Sequence, residues 1–510
     1  MKRRPQPWPG RRASNGATDV DWHKGKLSAC VVVEPLALRC PPGALLRALA
    51  GRCTPAVLES TALHENYGRY TILACRPLDV LTLSEGALTN AAGEVLAEGR
   101  RLWPALRNAF SAVRLTNCPT AVGYLPGWIG YVGYEVGRLI ERLPGSAVRD
   151  THLPDMHLAF YDALLLYDAI KRGWQLVELA FDEAPESAGQ AARELREVAA
   201  SAEPADEIAP APTEQASARA LRGAPIGVSN FTPDEYRRAV ARCAEYIAAG
   251  DIFQVNLSQR FAFEGAPDPL AVYRSLRRRN PAWYAAYLSF RSRGRPCAVL
   301  SSSPELFLRL RGDRVITRPI KGTRPRIGDD RADAEAMADL LASPKDNAEL
   351  AMINALLRND LGRICRYGTV RVSERCRLET HPTVFHLVGT VEGRLCEGVG
   401  PAELLKATFP GGSITGAPKI RAMEIIDELE GPARGVYTGC IGHVGADGSC
   451  EWNIAIRTIV WDDGRAYVQV GGGIVADSSP QAEYNETLDK ARALTEALAL
   501  AGAEAMRAVR

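Results

Sequence analysis

The sequence predicts an α+β protein. Of its 510 residues, 46% are hydrophobic and 24% are charged, a balance typical of globular chains, which excludes dominant disorder. Short apolar runs between turn residues predict strands, and apolar residues at helical spacing behind N-cap residues predict helices. No repeat of about 20 to 50 residues is visible, so a repeat architecture is not expected. At about 150 residues per domain, the length suggests roughly three domain-sized units.

The first quarter of the chain divides into a tail and a mixed region. Residues 1–26 carry seven basic and two acidic side chains, with prolines and no apolar core of a secretory signal. We expect a flexible basic tail rather than an organelle transit peptide. Residues 27–181 form a mixed N-terminal region that includes YLPGWIGYVGYEVG from Tyr124. Its glycines do not spell GxGxxG and predict a strand packed closely against another backbone.

A composition shift marks the boundary between the two halves. Residues 182–226 are rich in Ala, Glu, Pro and Ser, which predicts a surface helix followed by a linker. Beyond it, Thr232-Pro233-Asp234-Glu235 predicts a helix start with a capping box, and Gly250 ends that helix. Three more helices are expected, from Ser343 to about Arg366, from Thr415 to Gly431, and from Ser479 to about Ala501.

Strand-like segments alternate with these helices in residues 227–505. Each is a short run rich in apolar residues between helix or turn signals, which predicts a strand. They are 295–301, 314–319, 384–391, 436–444, 454–461 and 466–471.

Charge and cysteine usage narrow the function classes. The 62 basic and 60 acidic side chains leave a net charge of +2, without the basic excess typical of nucleic-acid binding. No run reaches the about 18 apolar residues of a spanning helix. The 12 cysteines are spread singly, with no CxxC pair or zinc spacing, which predicts reduced core thiols. A cytoplasmic protein that binds a small molecule or another protein is expected.

Two predicted helices each present a pair of acids three residues apart. Asp346 and Glu349 lie on one, and Glu483 and Glu486 on the other. Brought together, four acids would repel unless a cation such as Mg²⁺, which prefers oxygen ligands, lay between them. Spacing alone equally fits acidic first turns that complement the helix dipole.

The segment PIKGTRPR places Lys321 in a predicted turn beside Gly322 and Thr323. A surface lysine is the ordinary interpretation. Burial near a cation would instead lower its pKa and produce a free amine nucleophile.

Two glycine runs predict a close approach of a ligand to the backbone. FPGGSITGAPKIRAM places Gly411, Gly412 and Gly416 before a helix start with Lys419 just inside it, which favours an anion. Gly471-Gly472-Gly473 lies between a strand and the helix that carries Glu483. Cys440 stands in GCIGH, which lacks one glycine of the glutaminase form GxCxGH, and is interpreted as a strand residue.

Several distinctive motifs follow one another along the second half. They are DIFQVNLSQRF from Asp251, SSSPELF from Ser301, PIKGTRPR from Pro319, LLRNDLGR from Leu356, HPTVFHL from His381, GGSITGAPKIRAMEIID from Gly411 and GGGIVADSSPQAEYNET from Gly471. In this order they closely resemble the chorismate-utilising enzymes, over about residues 232–501. VLES and GRYTIL add weaker support in the first half.

The resemblance implies an anthranilate synthase component I-like fold. Two interwoven subdomains would form a large, mostly antiparallel β-sandwich flanked by helices. Residues 27–181 would supply the N-terminal region and residues 227–505 the chorismate-binding catalytic region.

The resemblance also assigns roles to single residues. Glu349 and Glu486 match magnesium ligands, with Asp346 and Glu483 as partners through water. Glu305 matches the proton donor for the hydroxyl that leaves the chorismate ring. The positions that match substrate contacts are Gly322, Thr323, His386, His443, Arg457, Gly471, Gly472 and Gly473.

Lys321 decides the branch that the chain resembles. Aminodeoxychorismate synthases carry Lys where anthranilate and isochorismate enzymes usually have Ala, and water-adding relatives have Lys where this chain has Gln254. The resemblance therefore implies attack of Lys321 on ring carbon C2, followed by amination at C4. It also implies a separate glutamine amidotransferase subunit that supplies ammonia.

Two positions depart from the family pattern. His443 stands where Tyr is usual, and Trp283 stands in NPAWY where NPxPY is common. Trp283 lies in the region of the family's tryptophan pocket, which also uses Leu58, Glu59 and Ser60. Two other interpretations remain: anthranilate synthase component I, and a catalytically silent subunit that binds chorismate or tryptophan.

Overall fold

The computed structural model describes residues 26–117, 119, 122–202, 227–381 and 384–508. The expected basic tail, except for Lys26, and the linker over 203–226 lie outside the described residues. None of the described helices is long and apolar enough to cross a membrane.

Two large sheets dominate the described part of the chain. The first sheet has 13 described strands: β1 (Leu27–Leu36), β2 (Ala56–Glu59), β3 (Tyr70–Ala74), β7 (Val113–Leu115), β10 (Ala163–Asp168), β11 (Gly173–Phe181), β12 (Val228–Ser229), β13 (Gln254–Glu264), β14 (Tyr284–Ser292), β15 (Arg295–Ser303), β21 (Gly416–Ala417), β24 (Thr458–Asp462) and β25 (Arg465–Ile474).

The second sheet has 12 described strands. They are β4 (Asp79–Ser84), β5 (Ala87–Thr89), β6 (Val95–Glu98), β8 (Gly127–Val132), β9 (Met156–Tyr161), β16 (Leu306–Arg311), β17 (Arg314–Arg318), β18 (Ile320–Pro325), β19 (Arg371–Thr380), β20 (Val384–Arg394), β22 (Cys440–Gly445) and β23 (Cys450–Ile454).

Helices flank both sheets. Those described are α1 (Pro42–Ala50), α2 (Leu102–Phe110), α3 (Gln190–Ser201), α4 (Pro233–Ala248), α5 (Pro269–Arg279), α6 (Asp330–Ala342), α7 (Pro344–Gly362), α8 (Pro401–Thr408), α9 (Lys419–Leu429) and α10 (Pro480–Ala508). The predicted capping box at the start of α4 is present, with Thr232 and Glu235 as its members.

Each sheet contains strands from both halves of the chain. In the first sheet β2 pairs antiparallel with β14, with Leu58 opposite Ala286. In the second sheet β8 pairs antiparallel with β22, with Gly130 opposite Gly442. Among the described strand pairs only β1 and β7 run parallel. The two halves are therefore interwoven into an antiparallel sandwich, as the resemblance implied.

The largest hydrophobic core lies between the sheets. Alternation along β10 shows how the sequence builds it, since Leu164 and Leu166 belong to this core together with Trp128 and Trp452. The intervening Leu165 belongs to a second core, which the first sheet forms with helices that include α1, α3, α5 and α10. Both faces of the sheet are thus covered, which explains its nearly continuous apolar strands.

The stretch from Tyr124 contains the predicted strand as β8, but Tyr134–Leu139 forms a 3-10 helix, and the strand assignment of Cys440 is confirmed. Gly130 lies in β8, where an added Cβ would collide with the backbone carbonyl of His157, so only glycine fits there. Cys440 begins β22. The eleven described cysteines are free and seven are buried, but Cys376 and Cys396 are exposed rather than in the core.

Three predicted elements have different bounds because the backbone pairs or turns locally. The helix expected from Thr415 begins only at Lys419, since Gly416 and Ala417 pair with β13. The strand expected over 436–444 begins at Cys440, after a turn in which Thr438 has a φ of 60°. The strand expected over 454–461 is split at Arg457, whose φ is 50°.

Candidate active site

The triglycine run lies inside β25 rather than between a strand and a helix. Gly471, Gly472 and Gly473 pair with residues of β13. A Cβ on Gly472 would lie 2.8 Å from Glu483 Oε2, and one on Gly473 would collide with Gln254 Nε2 and lie 3.4 Å from Lys321 Nζ. Because these glycines have no side chains, the side chains of Lys321, Gln254 and Glu483 fit close to this stretch of β25.

Lys321 lies on a bulged edge strand, not in the expected turn. In β18, Lys321 pairs with Leu387 and Thr323 with His386, and the register shifts at Gly322, whose φ is 71°. The Lys321 side chain is only 12% exposed, and its Nζ lies 3.8 Å from Glu349 Oε2. Burial lowers the pKa of Lys321 against the attraction of nearby carboxylates, which favours the free amine.

The four acids lie at the starts of α7 and α10, around this lysine and the triglycine run. Glu349 accepts a hydrogen bond from Gln254 Nε2 at 3.2 Å. Glu486 pairs with Lys490 at 2.6 Å, and Glu483 accepts from Ser478 Oγ at 2.6 Å. A Cβ on Gly322 would lie 3.0 Å from Asp346 Cγ. The predicted acids are thus brought to one region of the structure.

The state of these acids bears on metal binding. Burial raises the pKa of Glu483, whereas the lysines around Glu486 outweigh its burial and lower its pKa. Within the described ranges, no three His, Cys, Asp or Glu side chains form a group that could hold a metal. Mg²⁺ requires only one or two carboxylates, with water and substrate oxygens completing its shell, so the acids fit such an ion.

Glu305 is a buried acid immediately before β16. Its side chain accepts a hydrogen bond from Ser413 Oγ at 2.6 Å. Burial raises the pKa of Glu305 to about 7, although Ser413 and Lys321 favour its ionised form. A carboxyl group that keeps its proton near neutral pH is suited to donate that proton to a leaving hydroxyl.

His386 and Arg457 provide two more polar groups. His386 Nδ1 lies 2.9 Å from Thr323 Oγ1, and its buried Nε2 has no partner among the described residues. Burial lowers the pKa of His386 well below its ordinary value, with Arg457 adding to the effect, so the ring is neutral. Arg457 donates to Asn280 Oδ1 at 3.1 Å. No carboxylate of the described chain lies within 4.0 Å of this arginine, which leaves its guanidinium available to an anionic ligand.

His443 lines a second cavity, whose lining residues do not include Lys321. This second cavity, of about 270 Å³, is also lined by Leu58, Glu59, Ser60 and Trp283. His443 is buried in β22 of the second sheet, with Nε2 2.7 Å from the Leu125 carbonyl oxygen. His443 therefore lines the second cavity, and its contact with the substrate stays a prediction.

Lys419, at the start of α9 after the glycine-rich segment, already has partners in the protein. The Lys419 ammonium donates to Asp360 at 2.6 Å and to the Thr408 carbonyl at 3.0 Å, so its charge is already paired. Sequence reasoning missed the contact of Ser413 with Glu305 and that of Asn280 with Arg457. The GGSITG motif contains Ser413 and was the available signal, whereas no motif marked Asn280.

Comparison with known proteins identifies the family. Residues 60–496 match the family described as chorismate binding enzyme. The chain belongs to this family. The chorismate-binding enzyme therefore has the anthranilate synthase component I-like fold that its motifs predicted, and it is a chorismate-utilising synthase.

Relatives in two branches are similar to this chorismate-binding enzyme. Anthranilate synthase component 1 of Cereibacter sphaeroides is 37% identical over 92% of this chain and 94% of the relative. Aminodeoxychorismate synthase component 1 of Klebsiella aerogenes is 38% identical over 85% of this chain and 91% of the relative. The crystal structure of anthranilate synthase component I from Streptococcus pneumoniae has a TM-score of 0.72 and 32% identity, over 85% and 93% of the two chains.

Proposed function

We propose that this chorismate-binding enzyme is an aminodeoxychorismate synthase component I. It converts chorismate and ammonia to 4-amino-4-deoxychorismate and water, for 4-aminobenzoate and folate biosynthesis in the cytoplasm. The observation that carries the proposal is the buried Lys321 amine, placed between Gly473 and Glu349 where an anthranilate synthase usually has alanine.

Lys321 acts as the nucleophile. Its free amine forms a bond to C2 of the chorismate ring and loses a proton, the two ring double bonds shift, and the bond from C4 to its hydroxyl breaks. Glu305 gives its proton to that hydroxyl, which leaves as water. Ammonia then bonds to C4 and loses a proton, the two double bonds shift back, and the Lys321 nitrogen regains a proton as it leaves C2.

Glu349 and Glu486 would hold Mg²⁺ directly, with Asp346 and Glu483 bound through water. The bound ion would neutralise the ring carboxylate of chorismate and withdraw electrons from the ring. Arg457 binds the enolpyruvyl carboxylate of chorismate through two hydrogen bonds. Gly322, Thr323, His386 and the triglycine run complete the substrate contacts.

Ammonia comes from a separate glutamine amidotransferase subunit in this proposal. The second candidate function is anthranilate synthase component I, which the equally similar relatives of that name favour.

Purified protein is incubated with chorismate, Mg²⁺ and ammonium, and products are followed by mass spectrometry and anthranilate fluorescence. A product with the mass of aminodeoxychorismate supports the proposal, and anthranilate with pyruvate overturns it. Ligand binding without turnover indicates the silent subunit.

We expect amination to fall as the pH rises through about 7. Burial raises the pKa of Glu305 to about 7, and only its protonated form can donate. The measurement is kcat/KM for chorismate between pH 6 and 9, at a fixed concentration of free ammonia. Glu305→Gln should lower kcat by about 100-fold or more. It should also remove the decrease in kcat/KM at alkaline pH, which is called the alkaline limb of the profile. A limb retained in Glu305→Gln would contradict the role of Glu305.

Unfolding does not account for such an alkaline limb. The pKa of Glu305 is raised on folding, so its ionisation reduces stability between its unfolded value near 4.5 and its folded value of about 7. Above pH 7 this contribution is constant. Thermal unfolding measured at each pH serves as the control.

We also propose tryptophan as the ligand of the second cavity. The cavity is lined by the aromatic rings of Tyr67 and Trp283, by Ser60 and by charged side chains. This lining suits an aromatic amino acid. Isothermal titration calorimetry with L-tryptophan should give saturable binding that Trp283→Ala weakens at least about tenfold. Equal binding of L-leucine, or no effect of Trp283→Ala, would contradict the proposal.

A further inference from the structure

We propose that Ser413 is a positioning residue that orients the carboxyl group of Glu305 for proton donation, an inference that rests on the proposed function of Glu305. The Ser413 hydroxyl donates to Glu305 Oε1 at 2.6 Å. Both residues are buried, Ser413 with 9% and Glu305 with 4% of its surface exposed. The predicted site residues do not include this serine.

The segment that carries Ser413 is held close to Glu305 by its glycines. A Cβ on Gly411 would lie 2.8 Å from Ile454 Cδ1, and one on Gly412 would collide with Leu356. Ile454 in turn donates its backbone N–H to the Glu305 carbonyl at 3.1 Å. The two glycines therefore let this segment approach the strand that anchors Glu305.

Hydrogen bonds on the other side of Ser413 fix its position. The Ile414 carbonyl accepts from Arg434 Nη1 at 3.0 Å, and the Thr415 carbonyl accepts from the Asn256 backbone N–H at 2.8 Å. Arg434 is itself held by both carboxylate oxygens of Glu430. The serine hydroxyl is thus presented to Glu305 by a backbone with little freedom to move.

This contact has two chemical consequences for Glu305. Because Oε1 accepts the serine hydrogen bond, the transferable proton resides on the other carboxyl oxygen. The same bond stabilises the carboxylate that remains after proton transfer, and so opposes the effect of burial on the acid. The positive charge of Lys321 on β18 also favours the ionised form of Glu305, and the Ile320 N–H on the same strand donates to Glu305.

The test compares Ser413→Ala and Ser413→Thr by their pH profiles with saturating ammonium. We expect Ser413→Ala to lower kcat about tenfold, to leave the chorismate KM within about twofold, and to move the alkaline limb upward by about one pH unit. Ser413→Thr retains a hydroxyl and should restore both the rate and the limb. Ser275→Ala removes another buried serine hydroxyl, on α5, and should leave the profile unchanged.

The outcomes separate this proposal from the proposed function. If Glu305→Gln leaves the alkaline limb in place, the role of Glu305 fails. If Glu305→Gln removes the limb but Ser413→Ala shifts neither the limb nor kcat, only the role of Ser413 is overturned. Should Ser413→Ala not fold, Ser413→Cys replaces it in the test. The thiol is a weaker donor, so the alkaline limb should move in the same direction by a smaller amount. An unchanged limb would overturn the role of Ser413.

Discussion

Lys321→Ala should lower the rate of chorismate amination at C4 by about three orders of magnitude or more, because it removes the nucleophile that attacks C2 in the proposed reaction. The Lys321 amine is buried beside Glu349 and faces the bare backbone of Gly473, and alanine leaves no amine there to form the C2 adduct. The measurement is aminodeoxychorismate formation by mass spectrometry, with ammonium as the nitrogen source. Mass spectrometry of the intact wild-type protein with chorismate should also detect the covalent adduct.

Lys321→Arg is the matched control for charge. Arginine keeps a cation beside Glu349, but its guanidinium stays protonated and is a poor nucleophile, so this variant should be as inactive as Lys321→Ala. Lys406→Ala removes an exposed lysine on α8 and should retain full activity. Wild-type rate and product in Lys321→Ala would remove the covalent step from the mechanism.

Arg434→Met should reduce the free energy of unfolding by about 3 to 5 kcal/mol, the largest stability effect we expect from a single charged residue here. The side chains of Arg434 and Glu430 are 1% and 3% exposed, and the guanidinium also donates to Ile414 and Asn256 carbonyls. Methionine fills similar space but leaves the Glu430 carboxylate buried without its cation. Urea denaturation followed by circular dichroism gives the measurement.

A surface pair provides the comparison for Arg434. Arg465 and Glu264 form an ion pair at 2.9 Å, with side chains that are 56% and 71% exposed. Arg465→Met should therefore change the free energy of unfolding by less than about 1 kcal/mol. A similar small effect for Arg434→Met would show that the buried pair is not needed for stability. The double variant Arg434→Met, Glu430→Gln should recover part of the loss.

Local sequence signals predicted several elements well. The Thr232 capping box starts α4, and Ser343 accepts the N-cap hydrogen bond at the start of α7. These signals succeed because an N-cap satisfies backbone donors within one turn and needs no distant partner. Paired acids on the first turns of α7 and α10 were equally visible, because a spacing of three places them on one helix face.

The elements that sequence reasoning misplaced all depend on distant partners. Lys321 was expected in a turn, yet its segment pairs with β20 as a bulged edge strand. The triglycine run was expected to link a strand to a helix, yet it pairs with β13 along its whole length. Glycine and lysine have no strong strand preference of their own, so the neighbouring strand overrides the local signal.

His443 shows what the structure adds at the level of the site. Its family position predicts a substrate contact, and the structure places it in the lining of the second cavity, together with Leu58 and Trp283. Ser413 shows the converse, because nothing in GGSITG states that its hydroxyl meets a carboxylate 108 residues away in sequence.

By itself, the sequence determined the α+β class, the family, the main helix starts and the identities of the lysine and the acids. The tertiary structure alone decided which of these groups meet, how deeply Lys321 and Glu305 are buried, and that His443 lines the second cavity. The physical reason is that helix caps and side-chain spacing act over a few residues. Burial, pKa and contact across two sheets depend on the pairing of β13, β18 and β25, whose residues lie far apart along the chain.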